Sequence, residues 1–492
     1  MHHLILSPKS LISTPNAFPS LPSTNPNPFH PSSFSQILPN THKKLFINCR
    51  AIDVSVVNNC SNSINFSENG GIISSNNEKL GNLGVKDVDI ATLGNLCVDI
   101  VLNVPQLPPK SKPEREAYML NLASSPPDKQ YWEAGGQCNT AIAAARLGLQ
   151  CTTIGHVGSE IYGQFLRDVL HEEGISFVEM VDDPDAIRNA SEAYNTLLCW
   201  VLVDPLHRHG FCSRADFSED PAFNWIKDLT RNVKLAIKQS KILVINGYGF
   251  DDHTPGFIAS ALKYSVQVGT SVFFDPGPKG KSLSAGTPEE QMALNELLKM
   301  SDVILLTSEE AESLTGIRNP ILAGQELLKN GLRCKWVIIK LGSKGSVLIT
   351  MSGISCAPSY EVKVIDTVGC GDSFVAAVAF GFVHRLPRTH TLAIANAVGA
   401  ATATGCGAGR NVACLTKTTQ LIKSGNLNED HKFWRELIDE CMIDQEVSLL
   451  SKEVVNESDR KFGYVPLERV ISEISGLIST FETSEIGAVP TS

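Results

Sequence analysis

Asp366-Thr367-Val368-Gly369-Cys370-Gly371-Asp372 leads straight into the apolar segment Ser373 to Val383. In that segment Phe374, Ala377, Val378 and Phe382 recur at spacings of three and four, which predicts a buried helix, and the preceding Val362, Val364 and Ile365 predict a strand end. Asp372 then falls in the first helical turn, beside backbone N–H groups of Gly369, Cys370 and Gly371 that have no intrahelical partner. Two glycines let the chain approach a ligand closely, and helix-start amides suit an anion, so the junction can cradle a phosphoryl group. A carboxylate beside such a cradle is placed to take a proton. Asp is equally a favoured N-cap, so spacing alone leaves the capping of a core helix open.

The elements that must position this junction alternate. Compact β-branched runs predict buried strands at Val88–Leu93, Cys151–Ile154, Lys241–Ile245, Ser271–Phe274, Val303–Leu306 and Trp336–Ile339. Helical patterns lie between most of them, at Thr140–Leu147, Tyr162–Glu173, Phe257–Val268, Glu289–Lys299 and Ile321–Asn330. That order predicts an α/β fold with a mostly parallel central sheet covered on both faces. Val98–Leu107 and the pair Asn195–Val203 and Gly210–Ala215 break the alternation and predict a small β flap, able to cover a pocket.

With 492 residues, 42% of them hydrophobic, the chain can bury one large core. A formal charge of −10 and the lack of any run of five basic residues argue against direct nucleic-acid binding. No stretch reaches the 18 consecutive apolar residues of a spanning helix, so no membrane insertion is expected. The 13 cysteines show no C-x-x-C pair and read as buried thiols in a reducing compartment.

Residues 1–52 contain no Asp or Glu and are rich in Ser, Pro and Asn with a few Lys and Arg, the composition of a transit peptide. The proline density disfavours a mitochondrial amphipathic helix, so the expected address is the chloroplast stroma. Residues 53–84 read as a polar leader, 85–413 as the folded catalytic domain, and 414–492 as an acidic helical extension. In the extension Leu467, Val470, Ile471, Ile474, Leu477, Ile478 and Phe481 form an apolar stripe. The stripe needs a surface: the parent domain, a second copy of the chain, or a plastid protein partner.

Over roughly Val88 to Ala413 the chain resembles the ribokinase-like (PfkB) carbohydrate kinases, plastid-targeted plant members included. The D-T-x-G-x-G-D signature, Asp366 to Asp372, carries most of that resemblance, and Ala134-Gly135-Gly136-Gln137-Cys138-Asn139 carries the rest. The resemblance implies a three-layer sandwich with a lid, and ATP-dependent phosphorylation of a hydroxyl on a sugar or sugar-like molecule. It implies Asp372 as general base and Gly369, Cys370 and Gly371 as the anion hole, although relatives usually carry Ala where Cys370 stands. Asp99, Gly135, Gly136 and Asn139 would then bind the sugar. Lys340, Gly342, Gly345, Thr367 and Asn396 would bind ATP, with Gly405 to Ala408 bordering the adenine. Glu310, in Thr307-Ser308-Glu309-Glu310, would help hold Mg2+, and a monovalent cation such as K+ would sit near Asp366. Two rival readings stay open: a nucleoside kinase, stacking a base on Tyr194, Trp132 or Phe211, and a plastid scaffold that keeps the fold without turnover.

Overall fold

In a computed structural model the sheet is larger than the six predicted strands. The described residues are 86–124, 127–181, 195–206, 208–441, 445–452 and 462–486, so the transit and leader segments and Tyr194 lie outside them. All six predicted strands form: β1 (Val88–Leu93), β4 (Cys151–Gly155), β8 (Ser240–Asn246), β9 (Ser271–Asp275), β10 (Val303–Thr307) and β11 (Trp336–Lys340). They pair in parallel in the order β11-β10-β9-β8-β1-β4, and β5 (Ser176–Glu179) closes one edge.

At the other edge β12 (Ser346–Thr350) runs antiparallel to β11 and forms a hairpin with β13 (Gly353–Ala357). Next to it the extension contributes two strands as well as helices. β14 (Glu446–Ser451) and β15 (Phe462–Pro466) continue the sheet in parallel beyond β13, making eleven strands. The described part of the apolar stripe covers the parent domain: in the helix Leu467–Ile486, Leu467, Val470 and Ile474 are buried in the same core as the Arg388–Thr402 helix, and the side chains of Leu477, Ile478 and Phe481 lie outside the described residues. His390 Nε2 and Glu473 Oε2 lie 2.7 Å apart across that contact.

Alternate residues of each central strand enter opposite layers, as strand geometry requires. Val303 and Leu305 join the core beneath the helices Gln137–Arg146 and Cys370–Val383, while Ile304 and Leu306 face the helix Pro320–Asn330. A separate four-stranded sheet is the predicted flap: β3 (Trp132–Gly136), β2 (Leu96–Asn103), β6 (Leu197–Val203) and β7 (His209–Ser213), in that order. The run 362–365 is not a strand; it is an irregular segment, anchored where the Ile365 amide donates to the Ala403 carbonyl, and Val364 and Ile365 stay exposed.

Register does the positioning. Asn246 pairs with Asp275 and Thr307 with Lys340, so the last residues of β8, β9, β10 and β11 line one carboxyl edge of the sheet. Ligands in open parallel sheets bind outside that edge. Among the described residues no helix is long and apolar enough to cross a membrane.

Candidate active site

The turn before the Cys370–Val383 helix is held from beneath. Gly369 has φ +76°, a left-handed conformation, and a Cβ there would stand 2.8 Å from Ala408 Cβ, so glycine is required on both counts. Asp366 accepts hydrogen bonds from the Val368 amide at 2.9 Å and the Gly407 amide at 2.6 Å, and His209 Nε2 of the flap lies 2.7 Å from its Oδ1. The carboxylate expected to face a potassium ion is therefore engaged within the chain. The run Gly405 to Ala408 sits under this turn and does not border the cavity expected to take adenine.

The Cys370 amide donates to the Thr367 carbonyl at 3.3 Å, whereas the amides of Gly371 and Asp372 have no partner among the described residues. Of the expected Gly369–Gly371 set, the Cys370 amide is thus turned back into the chain, while the amides of Gly369 and Gly371 have no partner among the described residues. Burial pushes the Cys370 thiol up to about 12, helped by Asp366 and Asp372, which favours the protonated thiol at neutral pH.

Asp372 accepts hydrogen bonds from Asn139 Nδ2 at 3.3 Å and Thr140 Oγ1 at 3.5 Å. Asn139 is oriented in turn by the Gly409 amide, which donates to its Oδ1 at 2.7 Å. Burial pushes the Asp372 carboxyl up to about 6; Asp275 adds to the rise, and Lys340 with the two hydrogen bonds opposes it. A carboxyl tuned toward neutrality suits a general base better than an ordinary aspartate.

The turn is the wall between two cavities. One, of about 420 Å³, is lined by Asp99, Gly136, Asn139, Gly369 and Asp372, with Phe211 of the flap at its mouth. The other, of about 660 Å³, is lined by Thr307, Lys340, Gly342, Gly345, Thr367, Cys370, Gly371 and Asn396.

In the first cavity Asp99 is 6% exposed and pushed up to about 7, by burial above all and then by Asp372 and Glu133, against a Cys97 thiol donating from 3.5 Å. Gly136 reaches the cavity, but Gly135 does not line it. A Cβ on Gly135 would come within 2.2 Å of Asp99 Oδ1, so this glycine makes room for the carboxylate. Gly135→Ala is therefore expected to raise the acceptor KM about tenfold with little change in the ATP KM, read from initial rates with each substrate varied.

Asn246, Tyr248, Asp251, Asp252 and Lys279 also line this cavity and were not predicted. For the first four the only signal in the sequence is polar residues just after a strand, at 246–252, and Lys279 has none. Lys279 Nζ is 2.6 Å from Asp251 Oδ1. Of the aromatics proposed to stack a base, Phe211 lines the cavity, while Trp132 is core, 4.4 Å from the Tyr162 ring and 5.7 Å from that of Phe165.

In the second cavity Lys340 Nζ pairs with Asp275 Oδ2 at 2.7 Å. Burial works to lower its pKa, yet Asp275, Glu310 and Asp372 outweigh that and hold the ammonium above its ordinary value. Glu310 closes a capping box with Thr307: its Oε2 accepts the Thr307 amide at 2.8 Å, and its own amide donates to Thr307 Oγ1 at 3.2 Å. Burial, with Asp275 beside it, holds the Glu310 carboxyl above its ordinary range. Asp275, absent from the predicted set, thus acts on Glu310, Lys340 and Asp372 at once.

Asn396 lines the cavity with its side chain already committed. Its Nδ2 donates to the carbonyls of Ala357 and Pro358 at 2.9 and 3.1 Å, and its Oδ1 accepts from Ser346 Oγ at 2.9 Å. It shapes the wall and does not offer a free amide to a base. Val362 and Val364, misread as strand, supply apolar lining.

Two cavities meeting at a carboxylate and a set of open amides, on a ribokinase-like α/β fold, define a phosphotransferase with an alcohol group as acceptor. Residues 90–413 match the model of the pfkB family carbohydrate kinases, and the chain belongs to that family. A 5-dehydro-2-deoxygluconokinase of Bacillus thuringiensis subsp. konkukian is 28% identical over 311 residues, 62% of this chain and 85% of that protein. An Arabidopsis thaliana ribokinase complexed with ribose and ATP superposes with a TM-score of 0.51 at 19% identity, covering 68% of this chain and 97% of that one. An E. coli structure described as ribokinase II, in complex with ATP and Mg2+, gives 0.53 at 21%, covering 68% and 99%.

Proposed function

We propose that this chain transfers the γ-phosphoryl group of ATP to a hydroxyl of an uncharged sugar or polyol. The observation that carries the reading is the shared wall: Asp372 faces the smaller cavity, and Cys370 and Gly371 face the larger. An acceptor in the first and a triphosphate in the second would meet at Asp372. Asn139 and Thr140 hold its carboxylate toward the acceptor hydroxyl, and it takes the proton as the oxygen attacks phosphorus. The Gly371 and Asp372 amides receive the charge on the transferring group, Lys340 steadies the phosphates, and the flap limits water. No covalent enzyme intermediate is involved.

Mg2+ fits the donors present. Glu310 and Asp275 would supply carboxylate oxygens; burial first and Asp275 second hold the Glu310 carboxyl up, and a hydrated divalent cation would offset the Asp275 contribution. When bound, it would neutralise phosphate charge.

Support for an uncharged acceptor comes from the carboxylates of the smaller cavity. Asp99, Asp216, Asp251, Asp252 and Asp372 line it against Lys279 alone, which Asp251 already pairs. Asp99, Asp251, Asp252 and Asp372 all sit above their ordinary pKa, burial being the first cause each time, so one more anion would be disfavoured. A neutral hexose, pentose or polyol is expected to give a kcat/KM at least 100-fold above the matching aldonic acid, the class the Bacillus relative's name denotes. Preference for the acid would overturn the charge argument, and ADP release with no acceptor of a wide panel would overturn the kinase reading.

The composition of residues 1–52 supports delivery to the plastid, as part of the same proposal. A fluorescent fusion of residues 1–84 that stayed in the cytosol of leaf cells would reject it.

A further inference from the structure

Residues 426–433 lie beyond the family region, which ends at 413, yet they tie together two rims of the larger cavity. One rim is the turn Gly342–Gly345. Asn428 Nδ2 donates to the Ser343 carbonyl at 2.8 Å, and Lys344 Nζ meets Asp430 Oδ2 at 2.7 Å and lies 5.4 Å from the Phe433 ring. The other rim is Ser359–Glu361. The Asn428 amide donates to the Ser359 carbonyl at 2.7 Å, the Glu361 amide donates to the Asn426 carbonyl at 2.8 Å, and Tyr360 bridges to Leu427.

Asn428 itself lines the cavity, and its Oδ1 has no partner among the described residues. The strap is firmly rooted. Asp430 caps the His431–Asp439 helix by accepting the Phe433 amide at 3.0 Å, and Trp434, Leu437 and Ile438 of that helix are buried in the core beside β14.

We propose that this strap is a nucleotide-positioning element and that Asn428 sets affinity for the nucleoside triphosphate by fixing the Ser343 turn against it. The inference rests on the kinase reading only in taking the larger cavity as the nucleotide side. A side chain that bridges a rim loses its effect when either end is cut, so the strap contacts act as one unit. The sugar cavity, on the far side of the Gly369–Asp372 turn, makes no contact with Asn428.

Calorimetric titration of the full chain with ATP, together with initial rates, tests this. Asn428→Ala is expected to weaken ATP binding and raise the ATP KM about 5- to 20-fold, with acceptor KM and kcat within twofold of wild type. Lys344→Met is expected to do the same more weakly, and the double variant to fall short of the product of the two. Unchanged ATP binding in Asn428→Ala would overturn the inference, as would an equal rise in both KM values with a lowered melting temperature, which would mark a merely structural contact. Failure of the wild-type chain to bind ATP would instead overturn the kinase reading.

Discussion

Asp372→Asn is expected to lower kcat by 10³ to 10⁴ while leaving ATP binding within threefold of wild type. Asn keeps the volume, and its amide oxygen can still accept from Asn139 or Thr140, so the helix start and the cradle should survive. What it removes is proton acceptance, which accounts for roughly 10² to 10⁴ of a typical rate. The turnover of ATP with a neutral sugar, measured beside calorimetric ATP binding, checks both halves. A kcat within tenfold of wild type would show that the proton leaves by another route.

The same carboxyl gives the pH dependence a definite sign. In the proposed role Asp372 acts ionised, and burial holds it at about 6, so the active form would be lost as pH falls through that value. Asp99, held at about 7, loses its charge over the same interval. The logarithm of kcat/KM for the acceptor is therefore expected to fall with a slope approaching two below pH 6 and to level off above pH 7. An ordinary aspartate would keep the limb near pH 4. A profile flat to pH 5 would show that neither carboxyl titrates as described.

The chemistry-bearing turn was legible because its signal is local: two glycines, a carboxylate and a helical apolar pattern lie within twenty residues. Asp99, within β2, and Asn139, just after β3, were expected only through the family resemblance, and both line the smaller cavity. Asp275, Asp251, Lys279 and Asn428 were not, since the meaning of each comes from strand register or a long-range bridge and not from its sequence neighbours. Gly135 and Asn396 are expected from the resemblance as ligand contacts. Their work is one step removed, giving room to Asp99 and tying down the Ala357–Pro358 wall.

At the level of elements, the central strands carried near-continuous β-branched runs because both faces are buried. β12 and β13 were missed because Met351-Ser352, which joins them, carries no glycine or asparagine turn signal. Val362 to Ile365 has strand-like composition but no strand partner beside it, so it became cavity lining. The helical stripe after Leu467 was plain from its period, while β14 and β15, within the length range of the central strands, are mixed in polarity and did not stand out before β13 offered them an edge.

Asp99→Asn is expected to raise the acceptor KM by 10² to 10³ and, at the same time, to make the protein more stable at alkaline pH. The first effect follows from replacing a carboxylate, with four lone-pair sites for a pair of hydroxyls, by an amide with half of them, at roughly 1.5–3 kcal/mol for each charged hydrogen bond lost. The second follows from linkage. The folded-state pKa of Asp99 is raised from 3.8 to about 7, so the folded protein holds this proton more tightly than the unfolded chain. Its stabilising contribution is complete below about pH 4 and is lost as pH rises through about 7, a swing of at most roughly 4 kcal/mol. Asn carries no such penalty, so the variant should melt several degrees above wild type at pH 8 and lose that advantage towards pH 4.5. It should also reduce the limiting slope of the acid limb from two to one. Thermal melts at the two pH values and a kcat/KM profile for the variant test all three consequences of one buried carboxylate. Equal melting temperatures at pH 8 with an unchanged acceptor KM would show that Asp99 neither meets the sugar nor carries a buried charge.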